Sequence, residues 1–183
     1  MHNRIMNYDT LLKVTRAMSM SRDPEKVVQI TVESVKETLG VKGCALFLTN
    51  SASKELEVAA SCGLSGHYLN KGPVSSAHSI SQSLTDGPVA IYDVSDDPRI
   101  QYADDARKEG IRSILSVPIF VRGDIIGAMR VYTEEPWEFT LEDVNFVQAL
   151  AQIAGILVDT TRLIKGQNEY IDTLATMKEA REM

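Results

Sequence analysis

A chain of 183 residues, 44% hydrophobic and 24% charged, suits one domain with some helical extension and has enough apolar content for a core. A formal net charge of −6 and a pI near 5.1, with no cluster of Lys and Arg, exclude a phosphate-binding face, so no nucleic acid is expected as a partner. No apolar run approaches the roughly 18–20 residues of a membrane span, and the start MHNRIMNYDT lacks the apolar core of a secretion signal. The two cysteines, Cys44 and Cys62, do not make a disulfide framework. A cytoplasmic protein with reduced thiols and no membrane partner is expected.

The first predicted element is a helix over Ile5–Met20, with Ile5, Tyr8, Leu12 and Thr15 on one stripe and Leu11 and Met18 beside it. Asp23-Pro24-Glu25 restarts the helix, with Asp as N-cap, Pro at the first helical position and Glu in the first turn. This helix buries Val27, Val28, Ile30 and Val35 and stops at Gly40. Gly43–Thr49 and Leu56–Cys62 read as paired strands around a polar turn, Asn50–Lys54. Gly63–Gly87 is the least regular part, with a short helix expected at Ala77–Leu84. A short strand at Val89–Tyr92 is closed by Asp93, and a turn at Ser95–Pro98 leads to a helical stretch near Tyr102–Glu109.

Two β-rich runs follow, Ile111–Val121 and Ile125–Thr133, flanking Arg122-Gly123-Asp124, a turn whose glycine is free to take positive φ. The Arg-Gly-Asp triplet is read as a hairpin turn, not an adhesion motif. Pro118 cannot donate a ladder hydrogen bond, which places it at an edge, a bulge or a ligand-facing irregularity. Phe139-Thr140-Leu141-Glu142-Asp143 then opens a long helix to about Lys165 or beyond, with Thr140 as N-cap and Asp143 in an acidic variant of the capping box. Strands joined by short turns and helices at both ends predict an α+β fold, a central antiparallel sheet with the terminal helices on one face and the loop-rich middle on the other.

Several phrases, in this order, carry a resemblance: Asp23-Pro24-Glu25-Lys26-Val27, Ala45-Leu46-Phe47-Leu48, Cys62-Gly63-Leu64, Val89–Asp93 followed by Asp96-Asp97-Pro98-Arg99, and the hairpin with its capped helix. Over about Asp23 to Leu163 the chain resembles a GAF domain, a small sensory module related in fold to PAS domains. The resemblance divides the chain into an N-terminal helix (1–22), the GAF domain (23–163) and a C-terminal helical extension (164–183). It implies a module that binds a ligand or a partner and does no chemistry.

The resemblance also implies a pocket between the sheet and the segment His67–Tyr102. Its lining candidates are His67, Tyr68, His78, Ser79, Tyr92, Asp93 and Tyr102, with Ser113 and Ser116 on the facing strand. Tyr and His join apolar bodies to polar tips and suit a small planar ligand; the same residues can equally be ordinary loop and core positions. Asp93 and Asp97 are also natural turn and cap residues, with Arg99 placed to pair with one of them.

Cofactor-specific branches of the family fit less well, and the ligand stays unidentified. Cyclic-nucleotide-binding members resemble one another in an Asn-Lys…Phe…Asp-Glu signature. Here Arg130-Val131-Tyr132-Thr133, Phe139 and Glu142-Asp143 occupy that region, without the Asn-Lys pair and with the acidic pair reversed. Bilin-binding members attach the chromophore through a cysteine often followed by histidine; neither Cys44 nor Cys62 has an adjacent His. Haem would need a ligand such as His78, with no second one evident among the three histidines. The family's free methionine sulfoxide reductases use cysteines in loops over the pocket, whereas Cys44 and Cys62 fall in or at the end of predicted strands.

The last helix shows a 3-4 spacing through Val147, Leu150, Ala154, Leu157, Thr161, Ile164, Asn168 and Ile171, with Asn168 at a register-fixing position. This pattern serves either a parallel dimer helix or a terminal helix packed on its own sheet. Lys165-Gly166 resembles a helix C-terminus and predicts a kink or a fresh helix start there. The combined expectation is a homodimeric sensory domain in signal transduction that passes ligand occupancy through its terminal helices to a signalling partner. A ligand-free dimerisation module and a sulfoxide-reductase-like enzyme are the alternatives.

Overall fold

The computed structural model describes residues 8–21, 23–50, 52–53, 55–72 and 87–182. Two helices, α1 (Tyr8–Met20) and α2 (Pro24–Leu39), precede a hairpin of β1 (Gly43–Thr49) and β2 (Leu56–Cys62). A single turn, α3 (Gly66–Leu69), leads towards β3 (Val89–Ile91) and a short α4 (Ala103–Lys108). The second hairpin pairs β4 (Ser113–Val121) with β5 (Asp124–Thr133), and α5 (Leu141–Glu182) closes the chain. The helix expected at Ala77–Leu84 lies outside the described residues.

Local chemistry sets the element ends. Asp23 caps α2 by accepting the N–H groups of Glu25 and Lys26, and Gly40 ends it in the left-handed region at φ 64°. Thr140 and Asp143 form a reciprocal capping box, each side chain accepting the other's backbone N–H, at 3.2 and 3.1 Å. The β4–β5 turn needs positive φ at both central residues, and Arg122 takes 54° beside Gly123 at 94°.

The five strands run in the order β2-β1-β5-β4-β3, all neighbours antiparallel. The central strands β1, β5 and β4 are largely buried on both faces. Towards α1, α2 and α5 the sheet presents Cys44, Leu46, Leu115, Val117, Ile119, Met129 and Val131. Towards α3 and α4 it presents Ala45, Phe47, Ile91, Ile114 and Tyr132, packed with Tyr68, Val94, Ala106 and Ile111.

Pro118 sits where β3 no longer covers β4, since β3 pairs only with Ile114–Ser116. The exposed edge beyond is capped by α5. Gln148 Nε2 donates to Pro118 O at 2.7 Å, and the Gln152 amide both accepts from Phe120 N–H and donates to Phe120 C=O. Proline lacks the N–H that would otherwise need a partner there, and the glutamines stand in for a missing strand.

Three readings of the helices change. On α1 the buried positions are Thr10 and Val14, while Tyr8 and Leu12 of the expected inner stripe are 66% and 53% exposed. The helix is oriented by α2, through the Thr10–Thr38 hydroxyl pair at 2.8 Å and the Lys13–Glu37 ion pair; Ile5 lies outside the described residues. On α5, Val147, Leu150 and Ala154 are buried against the sheet, and the stripe then turns outward until Ile164 is 52% exposed. The helix runs unbroken through Lys165 and Gly166, because in a long helix glycine costs only about 1 kcal/mol relative to alanine. The side chains of Asn168 and Ile171 are not among those described. Leu141–Ile164 is also long and apolar enough by composition to cross a membrane, contrary to the expectation of no such run. In this fold its apolar residues form the core.

Cys44 and Cys62 are direct cross-strand partners on the helix-facing side, both free thiols. Burial pushes both thiols up, Cys44 strongly.

The close seat of α5 on β4 depends on Gly155, where an added Cβ would meet Ile119 Cγ2 at 2.3 Å. Gly155→Val is expected to destabilise the chain by about 1–3 kcal/mol through overpacking. Urea unfolding measures it as a lower midpoint at unchanged m.

Candidate functional site

The sheet face turned towards α3 carries a charge where its neighbours are apolar. Along β5, Ala128, Arg130 and Tyr132 share this face, and Arg130 is only 6% exposed. Its register partners are Ser116 on β4 and Ala45 on β1, both small and fully buried. Phe47 lies beneath the guanidinium, 5.2 Å from ring centroid to Cζ, and Arg130 shares a hydrogen bond with the Tyr132 hydroxyl. Burial pushes the Tyr132 phenol up to about 12, Arg130's charge only partly offsetting it.

The wall above this floor is α3. Ser65 caps it by accepting Tyr68 N–H at 3.1 Å, and Glu109 anchors Ser65 by accepting both its N–H, at 2.7 Å, and its hydroxyl. Burial raises the Glu109 pKa, but the Ser65 hydrogen bonds with the charges of Lys42 and His67 outweigh it and hold the carboxyl low. Tyr68 meets Tyr132 edge to face at 5.8 Å, and burial pushes its phenol well up. Lys71 follows α3, donating to the Tyr68 carbonyl at 2.9 Å with Nζ 3.7 Å from the Tyr68 ring centroid and 5.7 Å from that of Tyr102. Gly72, at φ 138°, lets the chain pass the Tyr102 hydroxyl, which an added Cβ would meet at 2.7 Å.

Desolvation, then the charge of Arg130, lowers the Lys71 ammonium to about 8. The charges of Asp105 and Glu109 act on it in the opposite direction. Ser116 Oγ, buried on β4 between its register partners Arg130 and Val89, has no hydrogen-bond partner.

Of the expected lining residues, Tyr68, Tyr102 and Ser116 come together at this site. His67 is on the exposed side of α3, towards Glu109. Tyr92 is 61% exposed. Asp93 accepts Ser95 N–H and pairs with Arg112 at 2.6 Å; the Ser95 backbone bond first, then Arg112, keeps its carboxyl low. Asp97 binds Arg99 in the same way, as a turn. Ser113 cannot share a face with Ser116, because three residues along a strand reverse the side. Its hydroxyl donates to Tyr92 C=O and accepts Trp137 N–H at 2.7 Å, tying β3, β4 and the loop before α5. His78 and Ser79 lie outside the described residues. Among those described, no group of three or more His, Cys, Asp and Glu comes together as a metal site.

Arg130, Lys71, Phe47 and Tyr132 were not among the expected residues. One signal for Arg130 was available: a lone charge inside the run Ile125–Thr133, where full burial of arginine is rare unless it is paired. A groove of about 550 Å³ lies by the β1–β2 hairpin and Arg162, but its charged members Glu57 and Arg162 are exposed. The buried polar chemistry is on the α3 side instead.

The model of the GAF domain family matches residues 23–158, and the chain belongs to that family. Its fold is similar to that of the GAF domain of a phosphoenolpyruvate-protein phosphotransferase from Coxiella burnetii: TM-score 0.78, 19% identity, covering 87% of this chain and 96% of that one. It is also similar to free methionine-R-sulfoxide reductase from Neisseria meningitidis, solved with its substrate: TM-score 0.72, 20% identity, 86% and 90% covered. A third is a domain of a putative two-component sensor histidine kinase from Sinorhizobium meliloti: TM-score 0.69, 21% identity, 81% and 99% covered. At these identities the likeness is one of fold. A comparison with curated protein sequences gave no match.

Two outcomes follow from the site. Ser116→Ala removes a buried, unpartnered hydroxyl and is expected to stabilise the free protein by about 1 kcal/mol, read by urea unfolding. Lys71 has a folded pKa of about 8, below the unfolded value of about 10.4. Between these values the unfolded chain holds the extra proton, so stability gains from this residue as pH rises through that window. Arg130, Asp105, Glu109, Tyr68 and Tyr102 face Lys71 there. Unfolding midpoints of Lys71→Met against the parent chain should lack this rise.

Proposed function

We propose that this chain is a regulatory sensory GAF domain that binds a small molecule on the α3-facing side of its sheet. The observation that carries the reading is the buried polar floor of Arg130 and Ser116 under the aromatic wall of Tyr68 and Tyr102. The Ser116 hydroxyl is buried without a partner on this face, which costs desolvation energy that an acceptor on a bound molecule would offset. Occupancy would favour one packing of the terminal helices, and only to the extent that the ligand distinguishes the two packings. Tyr8 and Leu12 on α1 and Leu163 and Ile164 on α5 are exposed apolar positions available to a homodimer and to a signalling partner. The domain would comprise residues 23–163 between an N-terminal helix and a C-terminal helical extension, acting in the cytoplasm.

An enzyme of the sulfoxide reductase type is disfavoured by the thiols. Catalysis needs a thiolate, and burial raises the pKa of both Cys44 and Cys62. They also lie on the helix-facing side of the sheet, with Cys62 Sγ donating to Val32 C=O. The second reading is a dimerisation module without a physiological small molecule, favoured by the same exposed residues of α1 and α5.

Native mass spectrometry of freshly purified protein, under gentle and then denaturing conditions, tests the reading. A dimer carrying a co-purifying mass that is lost on denaturation is the expected result, or an apo dimer that acquires such a mass from a metabolite extract. An apo dimer that takes up nothing selects the dimerisation module, and an apo monomer removes transmission through paired helices.

A further inference from the structure

We propose that Cys44 and Cys62 form a reversible dithiol–disulfide couple, oxidised by low-molecular-weight disulfides, that joins the start of β1 to the end of β2. The couple lies on the helix-facing side of the sheet and does not depend on a ligand at the α3 side.

The two residues are direct register partners across the β1–β2 pair, and both side chains belong to the helix-facing layer. Directly opposed residues of an antiparallel pair have Cα atoms about 4.5 or about 5.5 Å apart, depending on the type of pair. Both values lie within the roughly 4.4–6.8 Å that a disulfide spans. The backbones approach closely here, and each cysteine has a glycine beside it. A Cβ added at Gly43 would meet the Cys62 carbonyl oxygen at 2.8 Å, and one added at Gly63 would overlap that of Lys42. The Cys62 thiol accepts from the Cys44 backbone N–H, and its charge acts on Cys44.

The two sulfurs differ in access. Cys44 is fully buried, whereas Cys62 is half-buried at the rim of the same layer. Cys62 Sγ donates to Val32 C=O on α2 at 3.3 Å, and Lys36, Glu33 and Glu37 of that helix act on it. A soluble disulfide therefore meets Cys62 first, and Cys44 resolves the product.

Exchange takes two steps. Cys62 loses its proton to solvent, and its thiolate attacks one sulfur of RS–SR. That S–S bond breaks, RS⁻ leaves and is protonated, and Cys62–S–SR remains. Cys44 then loses its proton, attacks the Cys62 sulfur and expels the second RS⁻. Two protein thiols and one RSSR become one protein disulfide and two RSH, a transfer of two electrons and two protons. Burial favours the protonated form of both thiols, so the exchange is slow at neutral pH. Register decides where the bond forms; thiol acidity decides only how fast. Closing it removes the Cys62 donor from Val32 C=O, so a link from β2 to α2 is exchanged for one from β2 to β1.

The test uses the full 183-residue chain, folded and reduced. It is incubated with reduced and oxidised glutathione over a range of ratios until reduced and oxidised starting samples converge. Samples are acid-quenched, unfolded, alkylated and read by intact mass and peptide mapping. The expected product is a monomer with a Cys44–Cys62 disulfide, lighter by two hydrogens, taking up no alkyl group and reopened by dithiothreitol. Cys44→Ala should stop at the glutathione mixed disulfide on Cys62, and Cys62→Ala should leave Cys44 unmodified while folded. Circular dichroism checks each variant; should either not fold, the parent chain's mass spectrum decides alone. A parent chain that stops at the mixed disulfide overturns the couple. So does one that links two chains, closes only in urea, or keeps both thiols free at the most oxidising ratio.

Discussion

Two-sided burial of the central strands is the constraint from which the rest follows. β5 lies between β1 and β4, with α1, α2 and α5 on one face and α3 and α4 on the other. Side chains alternate along a strand, so each residue is committed to one of two different interiors. The helix-facing set in β5 places Met129 and Val131 in the apolar core. The opposite set, Ala128, Arg130 and Tyr132, mixes a small residue, a cation and a phenol. The two faces therefore do different work: one holds the domain together and the other holds polar groups out of water.

The helix-facing side achieves its tightness by close approach at a few points. Gly155 brings α5 down onto Ile119, and Gln148 and Gln152 complete the hydrogen bonding of the β4 edge that β3 leaves open. The same helix thus supplies both the apolar cover and the edge cap. It then continues past the domain, and from Ile156 onward exposed apolar residues appear on it.

On the other side the site is assembled from short, separate pieces. α3 is one turn long and is kept in place by Ser65 and Glu109, a hydrogen-bonded anchor between segments 44 residues apart. Lys71 and Tyr102 meet above it across the Gly72 backbone. The arrangement sets a one-turn helix and its flanking loop over a floor of paired strands. Arg130 and Ser116 belong to the floor and are set by strand register alone.

Element ends were legible in the chain because their hydrogen bonds are local. Asp23 and Gly40 around α2, the Thr140–Asp143 box, the Arg122-Gly123 turn and both hairpins involve partners a few residues apart, so residue type and spacing suffice. The α+β order and the GAF resemblance rest on the same signals. Other features required the assembled tertiary structure. Arg130, Ser116 and Lys71 come from three segments, and no local pattern states that they converge. The inward face of α1 is chosen by α2 rather than by its own stripe, since Val14 and Thr10 find partners there and Tyr8 and Leu12 do not. Cys44 and Cys62 face each other only because β1 and β2 pair in one register. Sequence encodes contacts between near neighbours directly; contacts across a sheet or between layers depend on register and packing, which the whole fold settles at once.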